Sequence, residues 1–108
     1  MSRAVQIEIL TFAGCPNAEP SLELVQRIAA AVGVEADVRQ IEVESAEQAE
    51  RLHFLGSPTI RVDGRDVEPG ADDRGDYALS CRVYRTDSGL AGRPDERWLR
   101  DALSSGRG

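Results

Sequence analysis

Thr11-Phe12-Ala13-Gly14-Cys15-Pro16-Asn17-Ala18 follows directly on the apolar stretch Val5-Gln6-Ile7-Glu8-Ile9-Leu10 and precedes a segment with helical periodicity. A thiol is thus offered where a strand hands over to a helix. The first free N–H groups of a helix and the positive end of its dipole favour an anion, and a thiolate is one. No other stretch of the chain proposes chemistry so directly.

Working outward, Val5, Ile7 and Ile9 alternate, while Leu10 and Phe12 add apolar groups to the other face, the pattern of a central strand covered on both sides. Leu22, Val25, Ile28, Ala29 and Val32 recur at helical spacing, so a helix is expected from about Pro16 to Val32, stopped by Gly33. Val34, Ala36 and Val38 alternate, and Ile41 and Val43 resume one residue out of phase. This reads as a second strand with either a bulge or two buried faces. Ser45-Ala46-Glu47-Gln48 has the form of a capping box and opens a short helix, with Ala49 and Leu52 on one face, that ends before Gly56.

Ser57-Pro58-Thr59-Ile60-Arg61-Val62-Asp63-Gly64-Arg65-Asp66-Val67 reads as a hairpin around Asp63-Gly64, the preferred two-residue turn. That loop sets Arg61 opposite Asp66 and Ile60 opposite Val67, a charge pair and an apolar pair. A last helix is expected from about Pro94, with Asp95 and Glu96 in its first turn and Trp98, Leu99, Ala102 and Leu103 as its apolar residues; Ser104 to Gly108 should fray. Between Val67 and Pro94 an acidic, glycine-rich stretch leads into Tyr77 to Arg85, an added strand, and then a loop through Gly89 and Gly92.

Gly14-Cys15-Pro16 after a strand resembles the active-site turn of the thioredoxin and glutaredoxin superfamily. The resemblance implies an α/β, three-layer fold on a mixed sheet: a βαβ unit, a short helix, a hairpin and a C-terminal helix. Residues 1–108 would form one such domain, with 68–93 an extra segment at the active-site edge. In that fold a proline with a cis peptide bond opens the third strand beside the catalytic cysteine, a place that Ser57-Pro58-Thr59 fills here. Pro16, Ser57, Pro58 and Thr59 are therefore the expected substrate-binding residues. The chain departs from the dithiol pattern at Ala18, where a resolving cysteine would stand.

Cys15 is accordingly the expected nucleophile of thiol–disulfide chemistry, as a thiol–disulfide oxidoreductase or thiol transferase whose adduct an external thiol resolves. No basic cluster that would hold glutathione flanks it. Gly14-Cys15-Pro16-Asn17 together with Ser80-Cys81-Arg82-Val83-Tyr84 is also similar to small proteins labelled alkylmercury-lyase or thioredoxin-family. That similarity implies an alternative in which Cys15 and Cys81 handle a soft metal or an organomercurial. A non-catalytic thioredoxin-like scaffold is the third reading. For Cys81, burial on one face with Leu79 and Val83 and service as the partner of Cys15 both remain open.

His53 is expected at a helix boundary, and Asp72, Asp73 and Asp76 form a solvated acidic loop, one of which would serve as proton donor if folded over Cys15. One histidine and two widely spaced cysteines give no zinc-type spacing, so neither a resident metal nor another cofactor is expected. A formal charge of −6 opposes nucleic acid and anionic membranes as partners. Small thiols, disulfides or soft electrophiles fit better. The N-terminal residues lack the form of a signal peptide, and with two distant cysteines the expected compartment is the cytoplasm.

Overall fold

A computed structural model describes residues 4–105. Met1–Arg3, read above against a signal peptide, and 106–108, within the tail expected to fray, lie outside them. The elements in chain order are β1 (Val5–Thr11), α1 (Ala18–Val32), β2 (Ala36–Glu42), α2 (Ala46–Arg51), β3 (Thr59–Val62), β4 (Arg65–Asp66), β5 (Tyr84–Thr86), β6 (Gly89–Ala91) and α3 (Glu96–Ser105). The protein is mixed α/β. Its four-stranded sheet has the order β2-β1-β3-β4, and β5 and β6 form a separate two-stranded sheet.

β1 pairs parallel to β2, from Val5 opposite Ala36 to Thr11 opposite Glu42, and antiparallel to β3, from Ile7 opposite Val62 to Leu10 opposite Thr59. The register against β2 runs without a bulge. Two buried faces therefore explain the phase change: Ala36 and Val38 pack with the cluster under α1 and α3, whereas Ile41 and Val43 pack with Leu10, Ala49 and Phe54 under α2. The larger cluster joins Val5, Ile7, Ile9, Ile60 and Val62 of the sheet to Leu24, Val25 and Ile28 of α1 and Leu99 and Leu103 of α3. Each such aliphatic side chain, fully buried, contributes roughly 1.5–3 kcal/mol.

Local chemistry sets the element ends. Ser45 Oγ accepts from the Gln48 N–H at 3.1 Å, while the Gln48 side chain reaches back to the N–H of Glu44, one residue earlier than in the usual box. Asp95 Oδ1 accepts from the Arg97 N–H and starts α3 two residues after the predicted Pro94. Asp63 and Gly64 both have positive φ, as the two-residue hairpin turn requires, and Arg61 lies opposite Asp66. The expected charge pair between them does not form. Arg61 donates instead to the carbonyls of Leu52 and His53, and both carboxylate oxygens of Asp66 are taken by Arg82.

Candidate active site

The chain leaves β1 through two consecutive turns that meet at Cys15. The Cys15 N–H donates to the Phe12 carbonyl at 3.2 Å, with Gly14 at φ +85° in the place that calls for glycine. The Ala18 N–H then donates to the Cys15 carbonyl at 3.2 Å, Pro16 and Asn17 forming the corner. Proline presets φ for the first corner position, and Asn17 at φ −100°, ψ 5° fits the second. This second turn consumes the two residues expected to begin the helix, so α1 starts at Ala18. Pro20 sits in its first turn without an N–H, so the helix start presents fewer free donors than a run without proline. Cys15 is buried, 9% exposed, and in no disulfide.

The pairing of Leu10 with Thr59 brings the Ser57–Thr59 turn to the sheet edge at which β1 gives way to Cys15. The Ser57–Pro58 peptide bond is cis, and Ser57, Pro58 and Thr59 are all buried. Residues 78–84 strap this turn from outside. The Ser57 N–H donates to the Ser80 carbonyl at 2.8 Å and the Arg82 N–H to the Ser57 carbonyl at 2.9 Å, setting Cys81 beside Ser57 in an isolated parallel bridge. Cys81 is exposed and free.

The predicted single strand over Tyr77 to Arg85 is thus a short bridge followed by β5, and the predicted loop through Gly89 is β6. Of the two readings open for Cys81, burial on one face with Leu79 and Val83 is the one that fails. Leu79 and Val83, 41% and 60% exposed, face outward with Cys81, whereas Arg82 and Tyr84 are turned in at 3% and 0%. The apolar face lost because the space inside holds two carboxylates. Arg82 Nη1 and Nη2 meet Asp66 at 2.8 and 3.0 Å, Nη2 meets Glu68 at 2.7 Å, and Nη1 donates to Thr59 Oγ1 at 3.1 Å. The guanidinium also lies 4.4 Å from the centre of the Tyr84 ring. Burial alone lowers the pKa of Arg82, but the hydrogen bonds and charge of Asp66 and Glu68, with Tyr84 adding to them, outweigh it and hold it raised.

Tyr84 and Thr59 pass this anchoring on to the turn. The Tyr84 hydroxyl donates to the Pro58 carbonyl, and Thr59 Oγ1 donates to the Gly56 carbonyl at 2.6 Å. Burial, reinforced by Asp66 and Glu68 and opposed by Arg82, pushes the Tyr84 hydroxyl well above its ordinary pKa, so it stays a donor. Gly56 carries φ +118°, and a Cβ there would stand 3.0–3.2 Å from Cβ, Cα and N of Arg82. No local signal in the sequence marks Arg82 and Tyr84, because the carboxylates that draw the arginine inward lie 14 and 16 residues away.

Among the described residues no hydrogen bond, ion pair or ring contact links the other predicted groups to Cys15. Asp72 pairs with Arg65 of the hairpin at 3.8 Å, Asp76 pairs within the loop with Arg74 at 2.6 Å, and Asp73 is exposed. His53, at φ +56° just past α2, stacks on Tyr77 at 4.8 Å. Trp98 packs tilted against Tyr84 at 6.1 Å. Among the described residues no three His, Cys, Asp or Glu side chains gather where they would hold a metal ion, and no helix is long and apolar enough to cross a membrane. Comparison with protein-family models, with curated proteins and with solved structures finds no match to this chain.

Proposed function

We propose that the chain is a thiol-dependent redox protein of thioredoxin-like architecture, with Cys15 as the nucleophile and Pro16, Ser57, Pro58 and Thr59 shaping the ground where a substrate sulfur lies. The observation that supports this most is the meeting of two turns, Phe12–Ala18 and Ser57–Thr59, at one sheet edge fixed by the Leu10–Thr59 pair. The Cys15 thiolate attacks one sulfur of a disulfide, a new S–S bond forms, and the other half leaves as a thiolate that takes up a proton. Ala18 offers no internal thiol, so a second external thiol releases the adduct and regenerates Cys15.

Treatment with 2-hydroxyethyl disulfide followed by peptide mapping tests this reading. A mixed disulfide on Cys15, cleared by added thiol and absent in Cys15→Ser, is expected. An unmodified Cys15 in a protein whose Cys81 is fully labelled overturns it.

The bridge between Cys81 and Ser57 favours a second reading, in which Cys81 joins Cys15 on a soft electrophile such as a mercurial. Mercurial affinity falling in both Cys15→Ser and Cys81→Ser supports it, whereas a loss confined to one variant rejects it.

A further inference from the structure

Beside the Cys15 turn lies a cleft of about 330 Å³ lined by Phe12, Ala13, Glu42, Val43, Glu44 and Leu79. Its position follows from the sheet. The Val43 N–H donates to the Thr11 carbonyl at 2.7 Å, so the end of β2 runs beside the chain that leads from β1 into Cys15. Leu79 comes from the strap that also carries Cys81.

The lining has a definite chemistry. Phe12 and Ala13 give an apolar floor, and Leu79, 41% exposed, gives an apolar wall. Glu42 and Glu44 are exposed, and among the described residues neither carboxylate has a hydrogen-bond or ion-pair partner. Glu19, in the first turn of α1 and close in sequence to Cys15, is a further exposed carboxylate. Arg93, next to the Gly92 that packs against Asn17, is a cation on this flank, and the formal charge of the whole chain is −6.

Resting on the thiol reading above, we infer that the cleft selects the substrate of Cys15: a disulfide whose transferred half carries a basic group beside an apolar one, as in a basic cysteine peptide, in preference to anionic disulfides such as oxidised glutathione. An ammonium or guanidinium set between Glu42 and Glu44 gains the attraction that an anionic half would meet as repulsion, and an adjoining aliphatic group covers Leu79 and Phe12. The reaction is the same exchange. Cys15 sulfur bonds to the sulfur of the basic half, and the other half departs as a thiolate and is protonated.

The test measures second-order rates of mixed-disulfide formation on Cys15 in the Cys81→Ser protein. The probes are cystamine, a homodimeric Lys-Cys-Leu peptide disulfide, neutral 2-hydroxyethyl disulfide and oxidised glutathione, each rate divided by that of a short unstructured cysteine peptide. At low ionic strength the normalised rates for the two cationic probes should exceed that for oxidised glutathione by about 10-fold or more, with the peptide ahead of cystamine. The ratio should shrink toward unity at 1 M salt, where the Debye length falls to about 3 Å, and in the exposed double variant Glu42→Gln/Glu44→Gln. Equal normalised rates, or a preference for oxidised glutathione, overturn the selectivity while leaving Cys15 a working thiol. Failure of all four probes, the neutral one included, overturns the thiol reading and the selectivity with it.

Discussion

Arg82 and Asp66 form a two-point ion pair at 2.8 and 3.0 Å with almost no solvent on either side chain. Charges removed from water in this way cost several kcal/mol each unless every partner is present, so the pair acts as an all-or-none fastening. It joins the hairpin to the strap, and Tyr84 and Thr59 carry the fastening on to the turn around Pro58.

Removing the cation alone should therefore be costly. Arg82→Met leaves two close carboxylates with only the Glu68 N–H on Asp66 and the longer Arg74 contact on Glu68, and a loss of about 3–5 kcal/mol in urea unfolding is expected. Adding Asp66→Asn and Glu68→Gln to the same protein should restore much of it. A loss below about 1 kcal/mol for Arg82→Met would show that the cluster contributes little.

Tyr84 predicts a pH dependence of definite sign. Its folded pKa is raised, so its contribution is complete below the unfolded tyrosine value of about 10 and is lost as pH climbs above that, when only the unfolded chain releases the proton. Stability should fall by up to about 1.4 kcal/mol per pH unit there. Tyr84→Phe should flatten this slope relative to the parent protein; parallel curves for the two would refute the assignment.

Gly56 and Gly75 form a matched pair of tests. An added Cβ at Gly56 meets the backbone of Arg82 and sits at φ +118°, whereas Gly75 has open space and no positive φ. Gly56→Ala should cost about 1–3 kcal/mol from backbone strain, with the contact adding to it. Gly75→Ala should stay within about 0.5 kcal/mol. Equal thermal midpoints for the two variants contradict the close approach.

Exposure separates the two thiols. A maleimide in excess at neutral pH should modify Cys81 ahead of the buried Cys15, and mild urea should narrow the difference. Faster labelling of Cys15 in the native protein would mean that its turn opens more readily than its burial implies.

Much of this arrangement was legible from local pattern alone. The alternation of Val5, Ile7 and Ile9, the Ser45–Gln48 cap and the Asp63-Gly64 turn each depend on neighbours a few residues apart, and each stands where it was read. The phase change in β2 was legible too, since Val38 and Ile41 do belong to opposite faces. What escaped was set at long range. Leu79, Cys81 and Val83 carry the apolar pattern of an inward face, but Asp66 and Glu68 select Arg82 for the interior, and no rule of periodicity contains that competition. At the Cys15 turn the helix start was misplaced because Pro16 suits both a first helical turn and the corner of a β-turn, and the bond from the Ala18 N–H to the Cys15 carbonyl decides for the corner.

β2, seven residues long, lies at one border of the main sheet, and β4, two residues long, at the other. A border strand with free backbone groups is a template on which another chain can aggregate. Asp37, Arg39, Gln40 and Glu42 stand exposed along β2, so a second chain laid against it would have to strip water from three charges in seven residues. β4 is too short to seed a ladder. The sheet is thereby protected from growing at either margin, and the protein keeps an open edge strand without becoming the nucleus of a fibre.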